Sequence, residues 1–214
     1  MPKPRSPSKP EPKSQYHHGD LRRALVEAAL EVADREGFEA VTTRALARKL
    51  GVSHAAPARH FPNRGSLLAE VAAEAFERFT RALAHAAKPH TADAAFAAMG
   101  RAYVRFAVDH PGLLRLMFNP ELETLAEPSE RLQSASDHAY AVLQSGARQA
   151  LGDAASEADV AAAAFYGWSL AHGAASLWID GPLRNYGPPQ GAKARFLAQA
   201  DQAIAASVHA LKAL

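Results

Sequence analysis

Residues 42–68, TTRALARKLGVSHAAPARHFPNRGSLL, constrain the fold more than any other stretch, because helix-forming and helix-stopping signals follow one another at short, fixed distances. Leu46 and Leu50 lie four apart and share one helical face, with Ala47 beside them. Gly51 follows the last periodic apolar residue, where a left-handed C-cap is wanted, and Val52 is placed to plug a core from the turn. Ser53 suits the N-cap of a second helix running from His54 through Pro57, Ala58, Arg59 and His60 to Phe61. Phe61-Pro62-Asn63 then stops it, and Ala47 is small where the two helices must cross closely. Two short helices joined by a four-residue turn with Gly are the geometry of a helix-turn-helix, whose second helix lies in a DNA major groove.

Short helices around a glycine occur in many helical proteins, so the flanking sequence matters. Upstream, Leu21, Leu25, Ala28 and Val32 keep a 3.6-residue period behind Asp20 as a cap, and Gly37 ends the run with Phe38 and Val41 available to pack beneath it. Downstream, Leu67, Leu68 and Val71 begin another helix. The pattern predicts three helices around a small core, the third short and basic.

Leu21 to Leu68 resembles the N-terminal domain of TetR-family transcriptional regulators. The resemblance rests on the pair Ala28-Ala29, on Gly37-Phe38, on Thr42-Thr43-Arg44-Ala45-Leu46-Ala47 and on Gly51-Val52-Ser53. His60-Phe61-Pro62-Asn63-Arg64 followed by Leu67-Leu68 completes it. Trp168 with His172-Gly173 is similar to the Trp-His-Gly signature of one subgroup of the family's C-terminal domains. The resemblance implies an all-α fold: a three-helix DNA-binding domain and a larger helical domain for dimerisation and a small-molecule effector. It also implies that His54, Ala55, Ala56 and Arg59 face base edges or flanking phosphates, with Ser53 and His60 beside them. Arg44 would reach DNA from the preceding helix, and Thr43 and Arg64 would contact phosphate. Many members carry Leu and Tyr where this chain has Pro57 and Ala58, so the phosphate contact commonly made by that Tyr is absent here.

Charge divides along the same line. Residues 1–65 hold 12 Lys/Arg against 7 Asp/Glu, net +5, and residues 66–214 hold 12 against 15, net −3. A basic first third supplies the salt-dependent phosphate attraction of a nucleic-acid binder. Residues 1–15, MPKPRSPSKPEPKSQ, are too polar to bury a core and are expected to form a disordered tail. Lys3, Arg5, Lys9 and Lys13 in it would lie along phosphates, or serve only solubility. No apolar run follows these charges, so the segment does not read as a secretory signal, and the absence of Cys fits a reducing, cytoplasmic setting. The expected organisation is a tail over 1–15, a helix-turn-helix domain over 16–64 and a helical regulatory and dimerisation domain over 65–214.

Beyond Leu68, breakers at Pro89, Pro111, Pro120, Pro128, Gly152 and Gly181 to Gly191 separate helices predicted over 65–87, 92–110, 112–118, 129–151, 156–180 and 191–212. Residues 160–179 carry no charge, yet Ala dominates them and Ser169, His172 and Ser176 interrupt them, so a buried helix is expected rather than a membrane span. Gly167, Ala171 and Ala175, spaced by four, form a smooth stripe, and Phe196, Ala200, Ile204, Val208 and Leu211 form an apolar face on the last helix. Helices 156–180 and 191–212 are therefore expected to build a homodimer across a two-fold axis, matching a two-fold symmetric double-stranded DNA operator.

Large apolar residues of the middle helices are candidates to line an effector pocket: Phe96, Met99, Tyr103, Phe106, Leu116, Met117, Tyr140, Phe165 and Trp168, with Leu113, Phe118 and Leu143 near them. An ordinary core accounts for each of them singly. His172, one turn from Trp168, either orients a ligand or satisfies a buried hydrogen bond. No cofactor motif appears, neither P-loop nor G-x-G-x-x-G nor G-x-S-x-G, and His17-His18 lacks the further ligands of a metal site. The expected activity is a ligand-released repressor. Its rivals are a constitutive or architectural dimeric DNA binder without an effector and an all-helical enzyme using His172 with Tyr140 or Tyr166.

Overall fold

The computed structural model of the chain describes residues 18–122, 129–181, 183 and 188–211, and the tail over 1–15 lies outside them. Helix α1 (His18–Glu36) leads through a 3-10 turn (Phe38–Ala40) to α2 (Thr43–Leu50) and a second 3-10 turn (Pro57–Arg59). Then come α3 (Arg64–Ala87), α4 (Ala92–Asp109), α5 (Pro111–Met117), α6 (Glu130–Leu151), α7 (Glu157–Ile179) and α8 (Ala192–Leu211). No strand occurs among the described residues. The fold is all-α.

The last six helices end within one residue of the ends that the breakers predict. Local chemistry explains this. Asn63 and Ser66 form a reciprocal capping box at the start of α3, and Ser156 and Asp159 form another at α7. Ser129 caps α6 through Leu132 N–H, and Thr42 caps α2 through Ala45 N–H at 3.2 Å. Each cap stabilises its helix by about 1 kcal/mol. One start differs: α1 already runs at His18, so Asp20 lies within its first turn rather than ahead of it.

Helix α3 serves both halves of one continuous core. Near its start Leu67, Leu68 and Val71 are fully buried with Leu25, Val41 and Leu46 of the N-terminal helices. Further along, Phe76, Phe79 and Leu83 face α4 and the C-terminal half. Glu70, between these stretches, takes ion pairs from Arg22 of α1 at 2.9 Å and Arg131 of α6 at 2.8 Å. Burial opposes ionisation of Glu74 one turn on, but hydrogen bonds from Arg78 and Arg81 outweigh it and hold the carboxyl below its usual range.

A second contact joins the halves. On α5, a Cβ at Gly112 would lie 2.0 Å from the Ala33 carbonyl oxygen of α1, so only glycine allows this approach. His110 Nδ1 lies 2.7 Å from Asp34 Oδ2 beside it.

Within the C-terminal half, Tyr103 of α4 and His172 of α7 meet at 2.7 Å. Burial pushes the Tyr103 phenol up and His172 down. Both groups are therefore held neutral across this contact.

The dimer faces read from the sequence need correction. Ala171 and Ala175 are buried within the chain, and a Cβ at Gly167 would lie 2.8 Å from Phe96 of α4. Phe196, Ala200, Ile204, Val208 and Leu211 are likewise buried in their own chain. A helix apolar all round does not disclose which face meets its own core. Here the small residues take the inside, and Phe165, Tyr166 and Leu177 stand outside at 64%, 44% and 48% exposure. No described helix is long and apolar enough to cross a membrane.

Gly112→Ala should destabilise the fold by about 2 kcal/mol through overpacking and lower the melting temperature by roughly 4–8 °C, and an unchanged melting temperature would contradict the close α1–α5 approach. Because burial depresses His172, the unfolded chain binds a proton more readily than the folded one, so stability is lost as pH falls below about 6.5. Melting curves recorded across that range should show a smaller loss in His172→Gln than in the parent protein.

Candidate nucleic-acid interface and apolar cavity

The N-terminal head presents its surface through the turn that follows α2. Gly51 adopts φ 67° and ψ 29°, and its N–H reaches the Ala47 and Arg48 carbonyls. Val52 N–H also bonds Ala47 at 3.0 Å, and Leu46 and Ala47 are fully buried. The left-handed cap read from the sequence is in place.

The segment after it departs from expectation. A regular helix capped by Ser53 would need the N–H of Pro57 for its first bond, and proline has none. The Ser53 carbonyl instead accepts from Ala56 N–H at 3.0 Å, and a 3-10 turn forms over Pro57–Arg59. No side-chain cap bond is made there. Pro57 is fully buried and Phe61 is 2% exposed, so both ends of the turn are anchored inward. The Arg22 guanidinium lies 5.1 Å from the Phe61 ring centre.

Ahead of Pro57, Ser53, His54 and Ala55 are exposed and Ala56 is half-buried, and between the two anchors Ala58 and Arg59 are exposed and His60 is half-buried. On α2, Arg44 is exposed and Thr43 half-buried. Arg48 is also exposed and, four residues from Arg44, shares its face. The sequence reading missed Arg48, although the spacing was available. Lys49 pairs with Glu31 at 2.9 Å, which holds that carboxyl low.

Arg64 also changes role. Its Nε donates to the Val41 carbonyl at 2.9 Å and its Nη2 to the Phe38 carbonyl at 2.6 Å. The side chain expected on a phosphate thus straps the start of α3 to the loop between α1 and α2. Hydrogen bonds from a charged guanidinium are stronger than neutral ones, and its fork spans two carbonyls at once.

In the other half, α3, α4, α6, α7 and α8 enclose a cavity of about 360 Å³. Of the expected pocket residues, Phe96, Met99, Tyr103, Tyr140 and Trp168 line it. Phe106, Leu116 and Met117 are buried elsewhere in the core, Phe106 packing edge-on to Phe79 at 5.3 Å. Phe165 lies outside, on the exposed face of α7. His172 stands behind the wall on Tyr103 and borders a second, smaller recess with Phe38, Arg115 and Asp180. The α3 aromatics Phe76 and Phe79 and the α8 residues Ile204 and Val208 also line the cavity and were not anticipated. The sequence reading puts Ile204 and Val208 on the dimer face of the last helix and does not single out Phe76 and Phe79, since nothing in a sequence separates a packed face from one facing a void.

Known proteins share this architecture. Residues 25–71 match the model of bacterial regulatory proteins of the tetR family, and residues 96–203 match the tetracyclin repressor-like C-terminal domain. The HTH-type transcriptional regulator YobS of Bacillus subtilis is 30% identical over 94 residues, which are 44% of this chain and 49% of that protein. The match therefore spans about half the length of that relative. A solved structure of a Rhodococcus sp. RHA1 protein of unknown function superposes with a TM-score of 0.72 at 30% identity, covering 91% of this chain and 98% of that one. A TetR variant from Acinetobacter baumannii in complex with minocycline gives a TM-score of 0.56 at 19% identity over 92% of this chain and 99% of that one, a likeness of fold alone. With both halves matched in order along one chain, the protein belongs to the TetR family of DNA-binding transcriptional regulators.

Proposed function

We propose that the chain is a homodimeric repressor that binds a two-fold symmetric operator and leaves it when a small molecule enters the α3–α8 cavity. One observation supports this reading above the rest. Helix α3 carries the Arg64 strap of the DNA-binding head at its first residue and cavity-lining Phe76, Phe79 and Leu83 further along. A ligand that favours a different tilt of α3 would move the head, provided its affinity differs between the two arrangements.

In this reading Arg44, Arg48 and Arg59 meet phosphates or base edges, together with Thr43, Ser53, His54, Ala55, Ala56 and His60. Arg64 acts inside the protein. The dimer forms through the outer faces of α7 and α8, where Phe165, Tyr166 and Leu177 of α7 and Ala198, Ala205 and Ala206 of α8 are exposed. Covering a large apolar side chain is worth about 1.5–3 kcal/mol, so three such residues per chain favour a stable partner. The cavity is the reason to prefer this reading over a constitutive DNA binder, since a platform used only for dimerisation has no need of a void of this size.

DNA selected in vitro by the purified protein should yield a two-fold consensus, and the absence of symmetry would refute the dimeric operator. Arg59→Ala should weaken binding to all sequences and reduce the salt slope by about 1 for each phosphate no longer neutralised, or else erase preference at one base position. Unchanged affinity and salt slope would remove Arg59 from the interface. The pair Phe165→Asp and Leu177→Asp should convert the dimer to a monomer in sedimentation, and a persisting dimer would place the interface elsewhere.

A further inference from the structure

The chemistry of the cavity wall narrows what can occupy it. Among the described residues, no Lys, Arg or His lines it. Its hydroxyls are engaged: Ser136 Oγ donates to the Gln133 carbonyl at 3.0 Å and Ser207 Oγ to the Ile204 carbonyl at 2.7 Å. The Tyr103 phenol meets His172 at 2.7 Å. Tyr140, 39% exposed, serves the mouth, where the exposed carboxylate of Asp137 also stands. An anion entering this space would lose its hydration, gain no cationic partner and face an acidic rim. An uncharged molecule meets none of these penalties.

The walls favour rings. Phe79 meets Tyr103 edge-on at 4.9 Å and Phe76 meets Phe118 edge-on at 5.7 Å. Such walls offer further ring edges and faces to an aromatic guest. Two glycines set the room between them. A Cβ at Gly167 would lie 2.8 Å from the tip of Phe96, and one at Gly146 would lie 2.6 Å from the Met99 sulfur. Phe96 and Met99, both on the wall, lie back into the space those glycines leave.

We infer that the cavity takes an uncharged, apolar, ring-containing compound, that it rejects anions of the same shape, and that Gly167 fixes the ring size it accepts by letting Phe96 recline. This specificity rests on the effector reading above but is testable apart from it. The experiment titrates the full-length protein, without DNA, with two fluorescent probes of one skeleton: neutral N-phenylnaphthylamine and the anionic anilinonaphthalene sulfonate.

The neutral probe should bind at least about tenfold more tightly than the sulfonate. Gly167→Ala should drive Phe96 inward and weaken the neutral probe at least about tenfold, with circular dichroism verifying the helical fold. Ala139→Leu, which adds bulk from α6, should weaken it as well and serves if the first variant does not fold. Equal or tighter binding of the sulfonate, or indifference of the neutral probe to both substitutions, would overturn the inference. A neutral compound that binds yet leaves operator affinity unchanged would instead contradict the effector reading and leave the ligand class standing.

Discussion

Helix α3 is unbroken across 24 residues, and the two halves of the molecule are organised around that continuity. At 1.5 Å per residue it spans about 36 Å, the length of a small domain. Its start is fixed by the Asn63–Ser66 capping box and by the hold of Arg64 on the Phe38 and Val41 carbonyls. Its middle shares Glu70 between Arg22 of α1 and Arg131 of α6. Its later turns wall the cavity. A close-packed helix held in this way cannot yield at one end only, because packed interiors have little compressibility.

The α1–α5 contact adds a second tie. Gly112 brings α5 against the Ala33 carbonyl, and His110 lies on Asp34 beside it. With α3 and α5 both fastened to the head, the proposed effector response would have a shift among the cavity helices carried to the turn over Pro57–Arg59 as a rigid-body change. Pro57 and Phe61, buried under that turn, keep its exposed residues in fixed register with α1 and α2. The ionic ladder on α3 supports the same end: Arg131 reaches Glu70, Glu74 and Glu77 together, and shared carboxylates hold geometry better than isolated surface pairs.

Much of this was legible in the residues, for identifiable reasons. Proline and glycine punctuation located the C-terminal helices, and Gly51 announced its left-handed cap. What escaped the sequence was direction. Gly167, Ala171 and Ala175 looked like a surface for a partner and turned out to lie inside, Gly167 against Phe96 of α4, while Phe165 looked like pocket lining and faces outward. Period alone marks a face but not its neighbour. Arg64 matched a phosphate-contacting position by its place in the motif, yet two carbonyls of the preceding loop claimed it. Pro57 departs visibly from the family pattern, but its consequence, a 3-10 turn in place of a regular recognition helix, needed the Ser53 carbonyl to be followed to its actual donor.

The chain has no cysteine, so a single spin label can be placed without background. Ala58→Cys puts it on the exposed recognition turn of each subunit, and pulsed electron resonance then reads the separation of the two turns in the dimer. With the cavity empty the separation should suit half-sites roughly 34–36 Å apart, and saturation with a cavity ligand should shift it by several ångström. A distance distribution that stays the same while the ligand is bound and the operator is released would contradict transmission through α3.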